Sequence, residues 1–214
     1  MTERGLREIK REATAQALAQ SAFELALERG VNGFIIDDVV KRAGYSRRTF
    51  TNYFSCKEEA IASVLLHGQE DAGEFLRDQP EDASLLDALQ GLIQSQLSSE
   101  KLEQLRAVVS LCREYATLQP HVLEAVMLSR QTAVAAFTEF AAGRYSRQYV
   151  ITLIGVAYGA LALIFDGSLD LATPGQEQTS GSRSGSGNGS GNGSGAVTFE
   201  EFLDTTFKYL RTGF

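Results

Sequence analysis

Apolar residues in this chain recur at the three-to-four spacing of a helix, and nowhere do they alternate with the period of two that a half-buried strand needs. Leu18, Ala22, Leu25 and Ala26 mark one face of a first helix over residues 8–29, which Gly30 is placed to end. A second, short helix over Ile36–Ala43 turns Val39, Val40 and Ala43 inward. It stops at Gly44, where a left-handed backbone costs a glycine little. Ser46 can cap a third helix running to about Tyr53. Ser55-Cys56-Lys57-Glu58 has capping-box spacing at the head of a fourth helix expected to reach Phe75. Pro80-Glu81-Asp82 breaks the chain, and further helices are expected over residues 84–98, 101–117, 120–142 and 146–169. The fold class is therefore all-α. Residues 173–195 are of a different kind, Gly/Ser/Asn-rich with the run GSGNGSGNGSG, and read as a flexible linker. A last helix over residues 197–211 presents Phe199, Phe202, Leu203, Phe207 and Leu210 on one face and must dock on something to persist.

The net charge of −7 at first argues against a nucleic-acid partner. Locally the balance is different: residues 1–59 hold ten Lys/Arg against nine Asp/Glu, and the remainder ten against eighteen. Between Lys41 and Lys57 stand five cations (Lys41, Arg42, Arg47, Arg48, Lys57) and no acid. Phosphate attraction decays over about 8–10 Å, so a short basic surface on an acidic body can still hold DNA.

Other function classes find less support. Cys56 and Cys112 lack CxxC spacing and read as thiols of a reducing, cytoplasmic compartment. The charged N-terminus is no signal peptide. The apolar run at residues 149–165 (YVITLIGVAYGALALIF) is 17 residues long, the lower limit for a membrane span, and reads better as a helix buried in a core or subunit interface. The chain has two histidines, His67 and His121, and no HExxH, GxSxG or phosphate loop, so neither an enzyme, a metal site nor a cofactor is expected.

Two short helices joined by a glycine turn, with cations opening the second, meet the needs of major-groove reading. The groove is about 12 Å wide and admits one helix, whose first residues reach the bases. Here those residues are Ser46, Arg47, Arg48 and Thr49. Arg suits a bidentate contact with guanine, and the Thr methyl suits the methyl of thymine. Tyr53 and Lys57 are natural phosphate partners. On charge and period alone, a plain helical hairpin with a solvated basic face is the somewhat better reading.

The residues Glu28-Arg29-Gly30, Asp37-Asp38-Val39, Ala43-Gly44-Tyr45-Ser46-Arg47-Arg48-Thr49-Phe50, Tyr53-Phe54 and Lys57-Glu58-Glu59 together resemble the N-terminal signature of TetR-family regulators, over roughly residues 8–65. The resemblance implies a homodimeric repressor that binds a palindromic double-stranded DNA operator. It implies DNA contacts at Arg47, Arg48, Thr49, Asn52, Tyr53 and Lys57. It also implies a C-terminal ligand-binding body whose last two helices form the dimer interface. One position departs: where the family's second helix usually opens with a Thr that caps it and touches phosphate, this chain has Ile35, which loses a cap typically worth about 1 kcal/mol. Asp37 and Asp38 still suit the helix dipole.

The domains expected are thus a helix-turn-helix domain over residues 1–56, a ligand-binding and dimerisation body over 57–172, the linker over 173–196, and a C-terminal helix over 197–214. Apolar residues line the body's helices and read either as core or as walls of a small-molecule cavity. Leu89, Ile93, Leu111, Tyr115, Val126 and Tyr158 are the candidate ligand residues, with Arg113, Glu114 and His121 as polar contacts. Residues 105–140 resemble an actinobacterial-type subgroup of the family in which some members respond to acyl-CoA esters, which points to a lipophilic or acyl-type inducer. Leu153, Val156, Ala160, Phe199, Phe202 and Leu203 are expected at the dimer interface, where Gly155 and Gly159, four apart, permit close helix approach.

Overall fold

The computed structural model describes residues 3–66, 72–80, 82–96, 98–165 and 198–212. His67, Leu97 and the expected linker lie outside the described residues. Among the described residues ten α-helices follow one another and there is no strand. They are α1 (Glu3–Arg29), α2 (Ile36–Ala43), α3 (Arg47–Thr51), α4 (Lys57–Ser63), α5 (Ala72–Arg77), α6 (Leu85–Gln96), α7 (Ser99–Glu114), α8 (Gln119–Ala141), α9 (Arg147–Phe165) and α10 (Phe199–Thr212). Short 3₁₀ turns occupy Val31–Gly33 and Ala116–Leu118. The all-α expectation is met, and among the described residues no helix is long and apolar enough to cross a membrane.

Packing divides the chain into two compact units, Met1–Ile154 and Gly155–Phe214. In the first, α4 is the shared element: it packs on α1, on α8 and on the Ala116–Leu118 turn. Its residues Ala60, Ile61, Ala62 and Ser63 are all buried, which is why this short helix carries so little charge beyond its first turn. Leu18, Ala22, Leu25 and Ala26 of α1 are buried as their spacing predicts, and α1 also packs on α2 and α7. In the second unit, α10 opens with a full capping box. The Thr198 hydroxyl accepts from the Glu201 N–H (3.2 Å), and the Glu201 carboxylate accepts from the Thr198 N–H (2.9 Å). Leu203 and Phe207 of α10 are buried.

Two expectations about α4 need correction. Its cap lies one residue later than the Ser55–Glu58 spacing suggests. Cys56 is the N-cap, with Sγ accepting from the Glu59 N–H (3.4 Å), while Glu59 accepts from the backbone and hydroxyl of Ser55 (both 2.6 Å). The helix also does not run on to Phe75. It ends at Ser63 and tightens into three-residue turns, with Leu65 and Leu66 donating to the carbonyls of Ala62 and Ser63. The Ser63 hydroxyl donates to the carbonyl of Ala60 (2.8 Å), the local competition by which serine weakens a helical ladder.

Candidate nucleic-acid interface

The helix-turn-helix is built by two caps and one glycine. Val39 and Val40 anchor α2 in the core. Gly44 adopts φ 75°, ψ 27°, and both it and Tyr45 donate to the carbonyl of Val40, closing the helix. The chain then re-enters a helix at once. The Ser46 Oγ accepts from the Thr49 N–H (3.0 Å) and lies 2.8 Å from the Thr49 hydroxyl. Phe50, fully buried, pins α3 from behind, its ring 5.6 Å from that of Phe54. Ser46 and Thr49 are thus the cap of the candidate recognition helix as well as candidate DNA contacts.

The entrance of α2 keeps half a capping box. Ile35 has no side-chain acceptor and is 62% exposed, but the Asp38 carboxylate accepts from the Ile35 N–H (2.9 Å). The Asp38 carboxylate also lies 3.9 Å from Arg29.

The five cations separate into two groups. Arg42 turns back to α1, where its guanidinium forms a fork with Glu28 (2.7 and 2.5 Å) and lies 3.7 Å from Glu24. The hydrogen bond from Arg42 holds the Glu28 carboxyl below the usual carboxylate range, and the same bond pushes Arg42 up. Lys57 also turns inward: its Nζ donates to the carbonyls of Val31 (2.6 Å) and Phe34 (2.8 Å) and sits 4.8 Å from the centre of the Phe34 ring. It ties α4 to the turn before α2, which leaves one of its three ammonium donors for a phosphate. Lys41, Arg47 and Arg48 are exposed.

Of the remaining expected contacts, Asn52 is exposed at the C-terminus of α3 and Tyr53 is half-buried beside Phe54. Sequence reasoning missed Asp37, whose carboxylate lies 3.1 Å from Arg47, and the exposed Tyr45 in the turn. No spacing rule joins residues on two helices across a turn, so the Asp37–Arg47 pair had no linear signal.

The expected ligand and dimer residues differ in burial. Leu89 and Leu111 are buried core; Ile93, Val126 and Tyr158 are half-buried; the Tyr115 hydroxyl packs against Gly30. None of the six lines the cavity of about 420 Å³ beside the helix-turn-helix, whose walls include Tyr53, Phe54, Glu59, Leu66, His121 and Leu128. At its side the Cys56 Sγ lies 3.6 Å from Nε2 of His121. Leu153 and Leu203 are buried in their own chain, Ala160 and Phe202 half-buried, and Val156 exposed; the side chain of Phe199 lies outside the described residues. Among the described residues no cluster of His, Cys, Asp and Glu is arranged to hold a metal ion.

Comparison with known proteins agrees with this geometry. A comparison with curated proteins finds no match. Residues 18–64 match the family model described as bacterial regulatory proteins, tetR family. That span begins within α1 and ends just beyond α4, and so contains both caps, the Gly44 turn and all the candidate DNA contacts. Residues 18–64 therefore carry a tetR-family domain, and over that span the chain is similar to TetR-type DNA-binding regulators.

Proposed function

We propose that the protein is a cytoplasmic repressor that binds a palindromic operator as a homodimer and is released by a small, largely apolar or acyl-type ligand. The observation that carries the reading is the pair Arg47 and Arg48, exposed in the first turn of a helix held rigid by Ser46, Gly44 and Phe50. Base contact falls to Arg47, Arg48 and Thr49, and backbone contact to Asn52, Tyr53 and the free donor of Lys57.

Dimerisation is supported by one face of α9. Thr152, Val156, Gly159 and Leu163 are exposed at helical spacing, opposite the buried Val150, Leu153 and Ile154. Gly155 and Gly159 have open space where a Cβ would stand, so a second helix can approach closely. A two-fold homodimer presents two copies of α3, and an operator read by both has half-sites about 34–36 Å apart. Ligand control is supported by the continuity of α4, which packs on both α1 and α8, so a rearrangement in the body reaches the helix-turn-helix through one element.

The test is selection from random duplexes, then a shift assay on the recovered sequence across a salt series. The recovered site should be palindromic, affinity should fall steeply with salt, and Arg48→Ala should weaken specific binding by about 1–3 kcal/mol. Binding that ignores both sequence and salt rejects the reading. Val156→Glu should shift a dimer toward monomer in sedimentation.

A further inference from the structure

The proposed reading surface has an acid built into it. Asp37, in the first turn of α2, holds Oδ1 3.1 Å from Nη1 of Arg47, in the first turn of α3. The two side chains are 57% and 65% exposed, so the pair contributes little to folding. Its neighbour Asp38 has a structural task, since it closes the entrance of α2 on the Ile35 N–H. Asp37 is not needed for that closure, yet it sets a carboxylate beside an arginine aimed at a polyanion.

We infer that Asp37 is a specificity-determining positioning residue for Arg47. The guanidinium has five N–H donors, and Asp37 engages one at Nη1. The others suffice for a bidentate contact with O6 and N7 of guanine, so the ion pair and the base contact coexist on the right sequence. On a sequence without that guanine, Arg47 gains DNA contact only by swinging to a phosphate. That movement strips Asp37 of its partner and leaves an anion facing the phosphate backbone. The acid therefore disfavours non-specific binding and, by fixing one edge of the guanidinium, favours the operator. Ile35 sharpens the asymmetry: with hydrocarbon at the entrance of α2, the first helix adds discrimination through Asp37 and little affinity of its own.

This inference rests on the DNA-reading role of α3 proposed above. The experiment measures the affinity of the full chain at one salt concentration for a duplex recovered by selection, a copy with its Arg47-facing guanine replaced, and a random duplex. Asp37→Asn should bind the random duplex about threefold more tightly and the selected duplex about threefold more weakly, so the specificity ratio falls about tenfold, on the scale of one base contact. In an Arg47→Ala background the same change should leave that ratio where Arg47→Ala alone sets it. Equal tightening on all three duplexes means that the acid only repels DNA, and overturns the inference. Equal weakening, with a lower melting temperature, means that it only supports α2, and overturns it too. A wild-type chain that prefers none of the three duplexes overturns the reading of α3 itself and is recognised before any variant is made.

Discussion

The hydroxyl of Tyr115, just past the end of α7, occupies the space into which a Cβ on Gly30 would project. Gly30 has φ 73° and ψ 161°, a region essentially reserved for glycine, and its N–H closes α1 on the carbonyl of Ala26 (2.9 Å). Gly30→Ala should therefore lower unfolding stability by about 1–3 kcal/mol in urea titration. Tyr115→Ala in the same chain should recover the steric part and leave the backbone part. A double-mutant cycle measures the split, and perfect additivity would show that the contact is not felt.

Restoring a cap at α2 should stabilise the protein. Ile35 is largely exposed, so Ile35→Thr gives up little burial and supplies the missing acceptor, with an expected gain of about 1 kcal/mol in thermal or urea unfolding. Ser46→Ala should move stability by a similar amount in the opposite direction.

Arg48 should serve DNA binding alone, whereas Lys57 should serve stability as well. Lys57→Ala strands the carbonyls of Val31 and Phe34 and should cost about 1–3 kcal/mol of stability. Arg48→Ala should leave the melting temperature within error while lowering the salt slope of DNA binding by about 1 if Arg48 holds a phosphate, and relaxing base preference if it reads a base. A Lys57→Ala chain as stable as the parent would refute the tie.

Glu28 gives a pH signature. Its folded-state value is lowered, chiefly by the hydrogen bond from Arg42, so its contribution is complete above the unfolded value of 4.5 and is lost as pH falls through the folded value. The parent should lose stability over that acid window, and Glu28→Gln should lose less across the same window. Superimposable acid profiles would remove Glu28 from the account.

Cys112 should be inert. Burial pushes its thiol up to about 11, so at pH 8 only about one molecule in a thousand carries the thiolate. Alkylation at Cys112 should be negligible in the folded protein and rapid in denaturant, as mass spectrometry of the labelled peptides would report.

The sequence made the helix-turn-helix legible because its signals are local. A cap, a glycine and a buried aromatic lie within seven residues of one another, from Gly44 to Phe50, and each acts on its neighbours. The register of α1 and the positions of α7, α8 and α9 were legible for the same reason. What escaped depends on contacts distant in sequence. Arg42 and Lys57 read as free cations because nothing near them in sequence names Glu28 or the carbonyls of Val31 and Phe34 as partners. The end of α4 at Ser63 escaped because the apolar residues that follow continue a helical pattern. In the body, single apolar residues such as Leu89 and Leu111 carry no mark that separates core from cavity wall, and both are buried.

The division of labour in α3 has an evolutionary consequence. Ser46, Gly44 and Phe50 hold the helix, whereas Arg47 and Arg48 project from it as exposed side chains. On the proposed reading of α3, two codons can therefore drift to new base preferences while the scaffold beneath them stays intact. A duplicated copy of such a gene has a short mutational path to a new target, with Asp37 as the third site that must change in step.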